Sequence, residues 1–168
     1  MAELSNITSS RVQKLVALVF IGCIIIFFLA GFDTIKSKIR DIKRRADIKI
    51  LVKALDLYHD KYGKYPDSAD DWQGWDLSLS YNGGEIGFLD KIKAEGLIDR
   101  VVKDPTNDLY YHYRYQKYDA GEYGCDNSFY ILQVVNLELA SHNNGVAKCS
   151  DFNWVESAPN GFTVQGFD

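Results

Sequence analysis

Three features of these 168 residues predict an α+β fold. Residues 15–32 form an unbroken apolar run. From 33 to 62 there is no Gly or Pro, and apolar residues keep helical spacing. Beyond residue 108, two segments alternate in the manner of strands. Together they predict a long amino-terminal helix, membrane-spanning in its first half, packed through its second half on a small antiparallel β-sheet.

Residues 1–14 read as a short tail. The run that follows, Leu-Val-Ala-Leu-Val-Phe-Ile-Gly-Cys-Ile-Ile-Ile-Phe-Phe-Leu-Ala-Gly-Phe, carries no charge. At ~1.5 Å per residue it covers roughly 27 Å, close to the hydrocarbon thickness of a bilayer. Lipid offers no partners to backbone amides, so the segment is expected to be helical. A secretory signal would have a shorter apolar core and a small-x-small cleavage site. The nearest candidate is at Ala30, with Phe28 in the wrong place, and an uncleaved anchor fits better. Cys23, in mid-run, reads as apolar filler.

Residues 33–66 continue the helix. Ile35, Ile39, Ile42 and Ala46 make one stripe, which Ile50, Leu51, Ala54, Leu55, Tyr58 and Tyr62 widen into a face that could pack on a sheet. The intact helix is expected from about Arg11 to Tyr62, roughly 75 Å long. Gly63 can supply its left-handed cap, and Pro66 forbids continuation.

The head is residues 67–168. It opens with a linker over 67–87, rich in Asp, Ser, Gly and Trp, in which Trp72 and Trp75 are expected to pin the loop to the domain. A short helix over 88–95 precedes Gly96. Lys103-Asp104-Pro105-Thr106-Asn107-Asp108 is a turn. A tyrosine-rich strand over 109–117 would put Tyr111, Tyr113 and Tyr115 on one face and Tyr110, His112, Arg114 and Gln116 on the other. After a turn over 119–124, residues 128–137 form a second strand with two apolar faces, the mark of a central position. His142-Asn143-Asn144-Gly145 turns again. Residues 146–149 suggest a short third strand, and 161–164 an edge strand or tail.

Charge divides the chain. Residues 1–45 carry eight Lys/Arg and three Asp/Glu, a balance of +5; the rest carry eleven and twenty, a balance of −9. An acidic head repels phosphate backbones, so no nucleic-acid partner is expected. The tyrosines from Tyr110 to Tyr118, with Arg114 and Lys117, could stack on single-stranded DNA, but packing on the protein's own helix fits better. The basic cluster Lys36, Lys38, Arg40, Lys43, Arg44 and Arg45 would hold the head inside by the positive-inside rule. Cys125 and Cys149 point outward, because an oxidising compartment permits a pair in a small domain. The expectation is a single-pass protein with a cytoplasmic amino terminus and an extracytoplasmic head, in which these two cysteines form a disulfide; two buried thiols are the other reading. The sequon Asn6-Ile7-Thr8 falls on the inner tail.

No catalytic signature is present: no Gly-x-Ser-x-Gly, phosphate loop, His-Glu-x-x-His or Cys-x-x-Cys. Asp56 and Asp60 share a helix face as many solvated pairs do, Asp70-Asp71 reads as loop or cap, and His59, His112 and His142 lack zinc spacing and suit the surface. No catalytic residue and no cofactor is expected.

Two motifs resemble the type IV pilin and type II secretion pseudopilin family, nearest the major pseudopilin. The first is Ala54-Leu55-Asp56-Leu57-Tyr58, four residues, then Gly63-Lys64-Tyr65-Pro66, where the family's long helix ends. The second runs from Gly96-Leu97-Ile98 through Asp104-Pro105 and Asn107 into the tyrosine-rich strand. The resemblance implies a filament subunit of a type II secretion or type IV pilus-like apparatus, oligomeric with its own or other pilin-like subunits, with helices bundled inside and heads outside. It also implies calcium as a ligand, for which Asp119, Glu122, Asp126 and Asn127 are the candidate oxygens, though they make good turns without a metal. The chain departs from the family before the apolar run, where Ser9-Ser10-Arg11-Val12-Gln13-Lys14 lacks a cleavage-point Gly, and within the run, which lacks a Glu. The alternative is an unprocessed single-pass protein displaying a non-catalytic extracytoplasmic binding domain.

Overall fold

The computed structural model describes residues 2–69, 71–80, 87–139, 143 and 145–168, without the side chains of 2–11 and 28–30. Asp70, His142, Asn144, part of the 67–87 linker and the sequon side chains lie outside the described residues. The chain divides into two compact units, Met1–Ile39 and Arg40–Asp168.

Helix α1 spans Ala2–Tyr62, so helix also occupies the tail expected over 1–14. In the first unit it is long and apolar enough to cross a membrane. Leu15, Val16, Leu18, Phe20, Ile24 and Phe27 are all exposed, as lipid-facing side chains would be. In the second unit α1 ends where Gly63, at φ +66°, donates its amide to the His59 carbonyl at 2.7 Å. A residue with a Cβ resists this left-handed backbone, and Pro66 follows.

The head is a four-stranded antiparallel sheet in the order β1 (Asp76–Leu77), β2 (Tyr113–Tyr118), β3 (Phe129–Val134), β4 (Phe162–Phe167). Helix α2 (Phe88–Ala94) precedes β2. Strand β3 is buried along its whole length and lies between β2 and β4, as its two apolar faces predict. Side chains alternate across it. Tyr130, Leu132 and Val134 join Tyr113 and Tyr115 against Ile48, Leu51 and Leu55 of α1 and Phe88 and Ile92 of α2. Phe129 and Ile131 face the other way, into a second core with Trp75, Tyr118 and Trp154. Each fully buried Leu, Ile or Phe contributes about 1.5–3 kcal/mol, so both sheet faces stabilise the head.

Strand β2 is shorter than the tyrosine-rich strand the sequence suggests over 109–117. The Asp108 carboxylate accepts from the amides of Tyr110 and Tyr111 at 2.9 and 2.8 Å. This local turn competes with the ladder and delays the strand to Tyr113. Residues 146–149 make only isolated bridges, Val146 to Val164 and Lys148 to Asn153, in place of a third strand. The edge strand expected over 161–164 is present as β4, with Phe162 opposite Val134 and Phe167 opposite Phe129.

Candidate functional site

The helix face that meets the head differs from the apolar stripe of the sequence. The buried line is Asp41, Arg44, Asp47, Ile48, Leu51, Ala54 and Leu55. Ile42, Ala46 and Ile50 are exposed on other sides of the same turns, and Ile35 and Ile39 are exposed in the first unit. The buried charges explain the rotation. Arg44, 0% exposed, donates from Nε to Asp104 Oδ2 at 2.7 Å, and from Nη1 to Asp41 Oδ1 and Glu138 Oε1, both at 2.8 Å. Its plane lies over the Tyr111 ring at 4.6 Å. Burial alone would lower its pKa, but the hydrogen bonds from Asp104, Glu138 and Asp41 outweigh it and hold the guanidinium above its ordinary value. Asp47 accepts from the Tyr113 hydroxyl at 2.8 Å. Burial and this carboxylate push the Tyr113 phenol up. Polar residues that would look solvated in an isolated helix are therefore satisfied by partners far along the chain.

The opposite face of the sheet carries a groove of about 410 Å³. One wall is the tight turn Trp72-Gln73-Gly74-Trp75. Trp72 and Trp75 exchange backbone hydrogen bonds at 3.2 and 3.0 Å, and Gln73 and Gly74 sit at φ +53° and +85°. Positive φ at both central residues is the type I′ hairpin requirement, which explains the glycine. The other wall pairs Tyr123 with Phe152, ring centroids 5.5 Å apart, and each also packs on Trp154. The disulfide Cys125–Cys149, Cα atoms 5.2 Å apart, joins the two loops that carry them. Tyr123 also accepts the Asp151 amide at 3.1 Å.

Arg114 lies between the walls. It donates from Nε to Gln133 Oε1 at 2.6 Å and from Nη2 to the Ser157 carbonyl and hydroxyl at 3.1 and 3.2 Å. Its guanidinium sits 4.3 Å from the Trp75 ring centre. Burial pushes its pKa down. Gln133 completes a polar layer, donating to the Trp154 carbonyl at 2.8 Å and the Thr163 hydroxyl at 3.0 Å. Arg114 and Gln133, and Gln133 and Thr163, are register partners on adjacent strands, so the layer runs straight across the sheet.

The residues singled out from the sequence fall in several places. Cys125 and Cys149 are bonded, and Cys23 is free and exposed. Asp119, Glu122, Asp126 and Asn127 all lie on the β2–β3 connection, where the Glu122 carboxylate accepts the Asp119 amide at 2.6 Å. Among the described residues no group of three or more His, Cys, Asp or Glu side chains is placed to share a metal. His59 is half-buried, 3.5 Å from Asp168 Oδ1. His112 is buried rather than at the surface: Nδ1 lies 3.1 Å from the Asp108 carbonyl, and burial lowers its pKa. The exposed Asp56 has its carboxyl pushed up by partial desolvation and by Asp60. Tyr113, Tyr115 and Tyr118 are buried in the cores and are not available to stack on a nucleic acid, whereas Tyr110 is exposed. Trp75 is pinned as expected, but Trp72 stands out at 53% exposure. Sequence reasoning missed the groove. Its one local signal is a Gln-Gly pair between two tryptophans.

Compared with models of protein families, with curated proteins and with solved structures, the chain matches none.

Proposed function

We propose that this chain is a pseudopilin-like, membrane-anchored structural subunit of a type II secretion or type IV pilus-like apparatus, acting by assembly and not by catalysis. The observation that carries the reading is the two-sided apolar character of α1 within the head unit. Leu51, Ala54 and Leu55 are buried against the sheet, while Ile42, Ala46 and Ile50 face outward. A helix that keeps apolar residues on the side away from its own core has surface to give to neighbouring helices. The apolar span of α1 and the helix-end motif at Gly63 support the same reading. The Cys125–Cys149 bond favours an extracytoplasmic head, because cytosolic thiols are kept reduced.

Cysteine cross-linking in native membranes tests it. In a Cys23→Ser background, Ile42→Cys and Ile50→Cys are oxidised in situ. A covalent dimer from each single variant, and a ladder of higher species when both are combined, are expected. Monomer alone at both positions, with Lys53→Cys no different, would exclude packing through this face.

A further inference from the structure

The groove on the outer face of the sheet has the features of a ligand site, and we propose that it binds a carboxylate carried on a ring, with Arg114 receiving the carboxylate and the aromatic walls receiving the ring. This goes beyond the assembly reading and does not depend on it.

The charge of Arg114 is the first reason. The residue is 8% exposed, yet every oxygen its guanidinium meets is neutral: the Gln133 amide, the Ser157 carbonyl and the Ser157 hydroxyl. Among the described residues no carboxylate lies within ion-pair distance of it, and Nη1 has no acceptor. A buried cation without a counterion is costly, and the ring of Trp75 offsets only part of that cost. Arg44, on the other side of the same sheet, meets three carboxylates. The fold is thus able to neutralise a buried guanidinium, and at Arg114, which lines the groove, it leaves Nη1 and its two N–H donors without an acceptor among the described residues.

The shape and chemistry of the groove narrow the ligand. A volume of about 410 Å³ lies within the range of small-molecule sites, roughly 300–1,000 Å³. Guanidinium suits carboxylate or phosphate equally well. The −9 balance of residues 46–168 penalises a dianion more than a monoanion, which favours carboxylate. Trp72, Tyr123 and Phe152 are all exposed along the groove, so a flat or chair-shaped ring has aromatic surface to pack on. The Gln116 amide, which accepts the Tyr118 hydroxyl at 2.9 Å, borders the same space. The type I′ turn and the disulfide hold both walls in place before any ligand arrives, which lowers the ordering cost of binding. Two sources carry this chemistry, an acidic sugar and an aromatic acid.

Calorimetric titration of the full chain in detergent decides the matter. The probes are glucuronate and galacturonate oligomers, benzoate and indole acetate, each paired with its uncharged sugar or amide. Saturable binding of at least one acid is expected, roughly tenfold or more tighter than its neutral partner. Arg114→Gln should lose the preference for the acid, and Trp72→Ala should weaken acid and neutral forms alike. Binding of the uronates alone assigns a sugar, binding of the aromatic acids alone assigns an aromatic carboxylate, and either outcome supports the site. The proposal is overturned if no acid binds, if acid and neutral forms bind equally, or if Trp72→Ala, at a 53% exposed position, leaves binding unchanged. Should Arg114→Gln fail to fold, the acid-to-neutral ratio and Trp72→Ala still decide.

Discussion

Arg44 and Arg114 face opposite sides of one sheet, and they are buried in opposite ways. Arg44 is enclosed by Asp41, Asp104 and Glu138, whereas Arg114 is held by uncharged oxygens and a tryptophan ring. The first is a fastener: its partners come from α1, from the turn before β2 and from the segment after β3, so one guanidinium ties three parts of the head together. The second is fixed in position but not neutralised. Burial alone therefore does not tell a structural cation from one available to a ligand; the inventory of its counterions does.

Replacing each arginine by Met is the strongest way to break this contrast. Arg44→Met strips Asp41 and Asp104 of the guanidinium bonded to them, while Glu138 keeps its ion pair with Arg40, and should cost about 3–5 kcal/mol. Arg114→Met removes an unpaired charge and should cost less than about 2 kcal/mol, mostly from the stranded Gln133 and Ser157 groups. Urea unfolding of the two variants measures the difference, and equal losses would erase the distinction.

The disulfide sharpens the contrast by acting on one side only. It spans a sequence separation of 24, and the double variant Cys125→Ser, Cys149→Ser should lose about 3 kcal/mol. Amide exchange should quicken around Tyr123 and Asp151 while Leu51 and Leu55 stay protected. Uniform quickening would mean that the two faces unfold as one.

Asp76 provides a buried charge of the other sign. Its Oδ2 accepts the Phe88 amide at 2.8 Å, while Oδ1 has no partner among the described residues. Burial pushes its carboxyl from 3.8 to about 6. The folded state therefore holds the proton more tightly than the unfolded chain. The favourable contribution is full below pH 3.8, declines as pH rises, and is gone above about pH 6. A shift of this size corresponds to roughly 3 kcal/mol. Asp76→Asn should flatten that part of the stability profile, read from thermal melts between pH 4 and 7. An unchanged slope would show that other groups set it.

Much of the fold is written locally. Gly63 and Pro66 mark the end of α1, and the double apolar pattern of β3 marks its central place. What escapes is long-range. Asp41, Arg44 and Asp47 look like a solvated face, because their partners Asp104, Glu138 and Tyr113 stand 60 or more residues away. The visible stripe of Ile42, Ala46 and Ile50 was accordingly expected inward and is found outward. The groove escapes for the same reason: Trp72, Arg114, Tyr123 and Phe152 belong to four separate segments that only the sheet brings together. Cys125 and Cys149 were legible because two cysteines in a small head leave one pairing within it.

The margins of the sheet have a consequence for crowding. Strand β1 is two residues long, and beside β4 the Val146 bridge and the Lys148 amide, held by the Gln165 side chain at 3.0 Å, take up part of the free border. Among the described residues, both borders are thus shortened or partly occupied, so a foreign strand has little to anneal to. Heads that meet edge to edge can thus stay separate and resist amyloid-like fusion.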